Sequence, residues 1–413
     1  MLKIIIGIII VTCSFSVSIP QMSLFNDILV LGFGICTFPM VIANRNNKNL
    51  LLVMGLWLLP FLLSLVISFP YNVFFKLGSG GLNYSQLEPY GRIVNLFAIS
   101  IFMLCMNYLC FINKSIKFSF ILKCYYYTCC LILLSVIWQA LDLYLGIPIK
   151  FPIETRSYIH GNVTEVNLSS RLTGYAMEPS YLAPFLIEFI IFSFFLLRGS
   201  KYRNLALLTG IVLLFLTYSP SSYITFFIIC MVFLLYKYRM KFVLISILPI
   251  ILGSFLFSKF RNINAFEYLY ERVIGIENSS RYTTIKNAVT FMIENDMFTL
   301  LLGNGIKSFS LLHTVGGDFR TSYETSNNLF IDVFFECGAI GLSILIFFFI
   351  YSLKKILTQS NSKYTLFALL LWVDVVLSAM FRADYATLRV FILLYFIFVF
   401  TNYSKNLSLK EYD

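Results

Sequence analysis

Long apolar stretches separated by short polar turns recur from one end of the chain to the other. A bilayer core of about 30 Å takes roughly 20 apolar helical residues to cross. The pattern predicts about twelve spans, at 4–19, 22–43, 50–69, 93–112, 118–146, 180–197, 204–218, 222–236, 242–258, 327–350, 364–380 and 387–402. Apolar and polar positions do not alternate at the strand period, which argues against a transmembrane β-barrel. The expected fold class is an all-α polytopic membrane protein. Without an internal repeat or low-complexity linker, it reads as a single integral membrane domain, 1–413.

Three inter-span segments are long: about 70–92, 147–179 and 259–326. The last lies between spans nine and ten and is too long for a passive connector. It carries the amphipathic helical pattern Arg281-Tyr-Thr-Thr-Ile-Lys-Asn-Ala-Val-Thr-Phe-Met-Ile, which Gly303-Asn-Gly305 then breaks. A long loop with its own helices above a bundle is a good place for a site.

Composition agrees with the pattern. Of 413 residues, 59% are hydrophobic and only 12% charged, with a mean hydropathy of +0.83. Soluble globular chains carry about 25% charged residues, so a water-soluble reading is excluded. The net charge of +11 has no basic domain behind it and does not point to nucleic acid. It works first as a topology signal. With the N-terminus in the cytoplasm, every short basic turn falls on the cytoplasmic side, including Arg45 with Lys48, Arg198 with Lys201 and Arg203, and Lys354 with Lys355. Both termini are then cytoplasmic and the three long loops are outside. Lys3 followed by an apolar run reads as an uncleaved signal anchor. The nine cysteines lie in or beside apolar runs, as buried small hydrophobes do.

No hydrolase triad, HExxH, phosphate loop or dinucleotide fingerprint is present. The two histidines, His160 and His313, fall in outer loops. Eight arginines also fall outside: Arg156, Arg171, Arg261, Arg272, Arg281, Arg320, Arg382 and Arg389. A planar guanidinium binds phosphate bidentately; equally, each could neutralise a carboxylate or touch a lipid headgroup. Glu178 precedes Pro179 at a span start. It is either a helix-start carboxylate favoured by the dipole or a base or orienting group at the water–lipid boundary. Within spans, Glu188, Asp332, Glu336 and Asp374 are costly unless paired or wet. Asp332 and Glu336 share a helix face, and either line a polar cavity or proton path or pair with an arginine above. Gly338 and Gly341 on that span permit close helix approach.

Two regions together resemble the O-antigen polymerase and O-antigen ligase superfamily. The first is Arg171-x-x-Gly174 followed by Glu178-Pro179-Ser180-Tyr181-Leu182-Ala183. The second runs from Ser280-Arg281 through Ala288, Met292 and Ile293 to Leu302-Gly303-Asn304-Gly305, then Ser326-Asn327-Asn328-Leu329 and Phe335-Glu336-Cys337-Gly338-Ala339-Ile340-Gly341. The resemblance covers about 165–345. It implies a ligase-like glycosyltransferase bundle in a bacterial inner (cytoplasmic) membrane, acting at the periplasmic face on glycans carried by undecaprenyl diphosphate. The ligase branch carries a histidine followed by asparagine ahead of a Gly-x-x-Gly. Counting back from Gly338 and Gly341 puts Asn327 at the histidine position and Asn328 after it. Asparagine is no general base, so the resemblance favours a polymerase and leaves the base unassigned.

On this reading a hydroxyl of one lipid-linked repeat unit attacks the anomeric carbon of another, and undecaprenyl diphosphate leaves. Arg171 and Arg281, with Arg320 third, are expected at the diphosphate. Glu178 is expected to activate or orient the hydroxyl, and Asn327, Asn328, Tyr181 and Glu324 to contact sugar. No cofactor and no metal is expected, since arginines can take the metal's role. Expected partners are the undecaprenyl-diphosphate-linked glycan, membrane lipid and a chain-length regulator protein, with no nucleic acid. The runner-up is the ligase that moves glycan to lipid A core. A different class is a flippase or secondary transporter, which places polar groups at the midplane.

Overall fold

The computed structural model describes residues 2–13, 27–37, 48–68, 70, 88–147, 149, 171–176, 178–238, 280–311, 325–359, 362–382 and 385–403. These residues are helical with short connections. In chain order the helices are α1 (Leu2–Thr12), α2 (Asp27–Thr37), α3 (Lys48–Leu63, continued by a π turn, Ser64–Ser68), α4 (Glu88–Asn107, continued by a π turn, Tyr108–Ile112) and α5 (Phe118–Leu145). They continue with α6 (Pro179–Leu196), α7 (Arg203–Phe215), α8 (Pro220–Tyr238), α9 (Ser280–Glu294), α10 (Met297–Leu302), α11 (Leu329–Leu357), α12 (Ser362–Phe381) and α13 (Leu388–Asn402). Among the described residues, seven segments are long and apolar enough to cross a membrane, and α1, α2, α7 and α13 are shorter apolar helices. Every predicted span overlaps one of these except 242–258, which lies outside the described residues.

Local chemistry sets the helix ends. Pro179 opens α6, where its missing N–H is no loss. α5 ends on Gly146 in the left-handed region at φ 61°, with its N–H returned to the Asp142 carbonyl. α9 does not run on to Gly303 as the periodicity predicts. It stops at Glu294 because Asp296 caps a new helix, its carboxylate accepting from the Thr299 N–H at 2.7 Å.

α3 and α11 form a tightly packed pair, with α12 and α13 beside them. Trp57 lies within 6.2 Å of the rings of Phe348, Phe349 and Phe391. Its indole N–H donates to the Tyr385 carbonyl at 3.2 Å, so the buried ring leaves no orphan donor.

α11 is broken at Gly338, which takes φ 68° and ψ −172°. A break at membrane depth is tolerated only where protein satisfies the freed backbone. Here the segment after α10 does so. Asn304 N–H donates to the Phe335 carbonyl at 2.9 Å, and Gly305 N–H to that of Glu336 at 2.9 Å. Ser64 of the π turn adds its hydroxyl to the same Glu336 carbonyl at 2.8 Å, and Ser68 donates to the Leu302 carbonyl. Gly303 and Gly338 meet backbone to backbone: a Cβ on Gly338 would lie 2.3 Å from the Leu301 carbonyl oxygen, and one on Gly303 2.5 Å from the Cys337 nitrogen.

Both glycines also hold positive φ, where an L side chain is strained by about 1–3 kcal/mol before any clash is counted. Gly338→Ala and Gly303→Ala should therefore each abolish a monodisperse peak in size-exclusion chromatography of detergent-solubilised protein. Gly55→Ala, at a position with open space around it, should elute as the wild type does. A normal peak for both Gly338→Ala and Gly303→Ala would contradict the interlock.

Candidate functional site

Glu178 is the residue before α6, in extended conformation at φ −136°. Arg281 sits in the first turn of α9. The fold brings them together across a hundred residues of sequence: Arg281 Nη2 donates to Glu178 Oε2 at 2.9 Å, and the side chains are 32% and 25% exposed. Ser180 Oγ donates to the same oxygen at 3.0 Å. One turn on, the Tyr181 hydroxyl donates to Asn327 Oδ1 at 3.2 Å. Asn327 takes φ 56° just ahead of α11, a left-handed conformation that asparagine tolerates better than most residues. The expected residues Glu178, Arg281, Tyr181 and Asn327 thus share one end of the bundle.

A residue the sequence reading did not place in the site completes the cluster. Arg382, just past α12, lies with its guanidinium carbon 4.4 Å from the Tyr181 ring centre, and its Nη1 donates to the Tyr181 carbonyl at 3.1 Å. It is 2% exposed. The sequence signal was an arginine at a span end, which alone does not separate it from seven other outer arginines.

The other expected residues are used differently. Asn328 caps α11, its side-chain oxygen accepting from the Phe330 and Ile331 N–H groups at 3.0 and 3.2 Å. Its carbonyl-type oxygen is therefore engaged by the helix start. Arg171 is buried, with Nε donating to the Thr217 carbonyl at 3.2 Å and Nη2 to that of Tyr218 at 3.1 Å. It braces the turn between α7 and α8, in which Tyr218 itself holds φ 46°. The spacing Arg171-x-x-Gly174 has a packing reason. Gln139 of α5 accepts from the Thr173 and Gly174 N–H groups at 2.8 and 2.7 Å. A Cβ on Gly174 would lie 2.6 Å from Ser135 Oγ. Arg320, Glu324, His160 and His313 lie outside the described residues.

Arg389 belongs inside the bundle, not among the outer arginines. It is 1% exposed and pairs with Glu188 of α6, Nε to Oε1 at 2.6 Å, and with Asp374 of α12, Nη2 to Oδ2 at 3.3 Å. The Tyr125 hydroxyl donates to the other Glu188 oxygen. The span carboxylates Glu188 and Asp374 are thus paired, as their cost in an apolar setting requires. Asp332 accepts from the Ser326 N–H at 2.8 Å and from its hydroxyl. Glu336 accepts from the Tyr385 hydroxyl at 2.9 Å, and Arg92 lies over that tyrosine's ring at 5.3 Å.

An all-α membrane bundle with an arginine–carboxylate pair where two helices begin is the class of protein that this geometry defines. A family model described as O-antigen ligase matches residues 205–346, from α7 into the second half of α11. This match supports the O-antigen ligase/polymerase superfamily and does not distinguish polymerase from ligase. It takes in Arg281, Asn327, Asn328 and the Gly303–Gly338 interlock, while Arg171, Glu178 and Tyr181 precede it. Among curated proteins no match to the chain was found.

The two arginines should separate in a stability measurement. Arg171→Ala removes the charged hydrogen bonds to the Thr217 and Tyr218 carbonyls and should cost about 2–3 kcal/mol. Arg281→Ala removes a partly exposed pair and should cost below about 1 kcal/mol. Thermal unfolding of the solubilised variants tests this, and equal melting temperatures would contradict the assignment of Arg171 as a brace.

Proposed function

We propose that the chain is a glycosyltransferase of surface-polysaccharide assembly that polymerises repeat units carried on undecaprenyl diphosphate. The observation that carries this reading is the 2.9 Å contact of Arg281 with Glu178, which joins the two sequence regions expected to hold donor and acceptor. The family match supports polysaccharide biosynthesis of the polymerase or ligase type. The asparagine at 327, where the ligase branch carries its histidine, favours the polymerase. Basic turns on the opposite side favour the periplasmic face of the inner membrane for this end of the bundle.

The chemistry is a substitution at the anomeric carbon. An acceptor hydroxyl forms the new C–O bond, the bond from that carbon to the diphosphate oxygen breaks, and its electron pair leaves on the diphosphate. The hydroxyl proton passes to Glu178 and then to water. Arg281 faces the charge that develops on the leaving group, where a fixed cation lowers the barrier most. The two roles are linked by the contact itself: a diphosphate that draws the guanidinium away frees a Glu178 oxygen to accept the hydroxyl's hydrogen. Tyr181 and Asn327, already hydrogen-bonded to each other, present polar edges for sugar hydroxyls. Positioning of two lipid-linked substrates supplies the rest of the rate.

Deleting the gene in its host should convert the ladder of surface-polysaccharide lengths on a gel into lipid A core bearing one repeat unit. Plasmid-borne Glu178→Gln or Arg281→Ala should leave that single-unit band, with the variant still present in the membrane fraction. Uncapped core would point to the ligase instead, and an unchanged ladder would remove the function altogether.

A further inference from the structure

Three ionisable side chains meet inside the bundle where α6, α12 and α13 pack together: Glu188, Asp374 and Arg389. None is more than 1% exposed. Counted as ions they carry two negative charges and one positive. An excess charge so far from water is costly enough that a titratable group takes up a proton instead.

The surroundings leave that excess in place. Tyr125 of α5 donates its hydroxyl to Glu188, and Ser378 of α12 offers Oγ to Arg389 at 3.4 Å. Cys13 beside α1 and Cys129 of α5 lie within electrostatic reach of Glu188; thiols and phenols are uncharged in their ordinary state at neutral pH. Arg382, eight residues along from Asp374 and about 12 Å away, also acts on it, but its guanidinium is held by Tyr181.

The two carboxyl groups are not equivalent. Glu188 is met by three donors. Arg389 Nε gives to Oε1 at 2.6 Å, Arg389 Nη2 pairs with the same oxygen, and the Tyr125 hydroxyl gives to Oε2. Asp374 Oδ2 receives only Arg389 Nη2, at the longer distance of 3.3 Å. Asp374 Oδ1 meets no donor among the described residues although the side chain is wholly buried. The Asp374 and Glu188 side chains also lie in hydrogen-bond contact with each other. Two carboxylates repel across such a contact, whereas an acid and a carboxylate attract through a charge-assisted O–H···O bond.

We propose that this centre binds one proton, resident on Asp374 and donated to Glu188. The negative charge then sits on Glu188, where three donors meet it. The neutral acid sits at Asp374, where an unpartnered oxygen is far less costly than on a carboxylate. The proton can also cross: the O–H bond on Asp374 breaks as one on Glu188 forms, the charge moves to Asp374, and the net charge is unchanged. Arg389 keeps a counter-ion on either side. α12 can thus change its hold on α6 without stranding a charge, and just past α12 Arg382 lies over Tyr181 beside Glu178. The centre stands whatever chemistry is carried out above it.

Infrared difference spectra of the purified full-length protein in nanodiscs test this at pH about 8, where ordinary carboxyl groups are ionised. Wild type minus Asp374→Asn should show the loss of one protonated-carboxyl band that shifts in D2O, with the carboxylate bands unchanged. Wild type minus Glu188→Gln should show the same loss, because Arg389 then takes Asp374 as its counter-ion and the proton goes to water. Asp374→Glu should move the band without removing it. Signals from Asp332 and Glu336 cancel in each difference. Loss of a carboxylate band and no acid band in Asp374→Asn would mean that both groups are ionised, and would overturn the proposal. An acid band that persists in Glu188→Gln, or that stays in place in Asp374→Glu, would overturn the assignment of the proton to Asp374 under the control of Arg389. Asp374→Asn replaces a neutral acid by an amide of the same size and should elute as the wild type does in size-exclusion chromatography; an aggregated protein would also count against the proposal.

Discussion

Arg389 with Glu188 and Asp374 is the interaction on which the working end of the molecule depends. Each of these residues is at most 1% exposed, and a lone charge in that setting costs several kcal/mol. The three helices α6, α12 and α13 cannot separate without stranding one. From this anchor α6 rises nine residues to Pro179, about 14 Å, and α12 rises eight residues to Arg382, about 12 Å. Nearly equal rises bring the two ends to one level. That is why Arg382 can lie over the Tyr181 ring and why Glu178 stands beside them.

The second half of the site is positioned by backbone instead of charge. The break in α11 at Gly338 exposes two carbonyls, and the segment after α10 fills them. This ties the α9–α10 segment to α11 one and a half turns or more beyond its start. α9 then carries Arg281 to Glu178, and the capped start of α11 carries Asn327 to Tyr181. Among the described residues, the two halves of the site meet through the Glu178–Arg281 and Tyr181–Asn327 contacts, each between side chains that remain partly accessible.

Much of the helix order was legible in the sequence, because spans are set by length and apolarity alone. Pro179 as a helix opener and the α9 amphipathic pattern were also legible, since both are local. The early end of α9 was not: Asn295-Asp296 is a cap-and-restart signal masked by the apolar periodicity on either side. The role of Arg171 could not be read either, because its partners are backbone carbonyls, which carry no residue signature. Arg389 looked like an outer arginine since α13 begins deep in the bundle, and start depth depends on packing.

The most direct measurement is reconstitution of the purified protein in nanodiscs with a lipid-linked repeat unit as the only glycan. Polymerisation at the Glu178–Arg281 site predicts lengthening of the glycan, with one undecaprenyl diphosphate released per linkage formed, and loss of both in Glu178→Gln. Lengthening at the wild-type rate in Glu178→Gln, or transfer only after lipid A core is supplied, would contradict it.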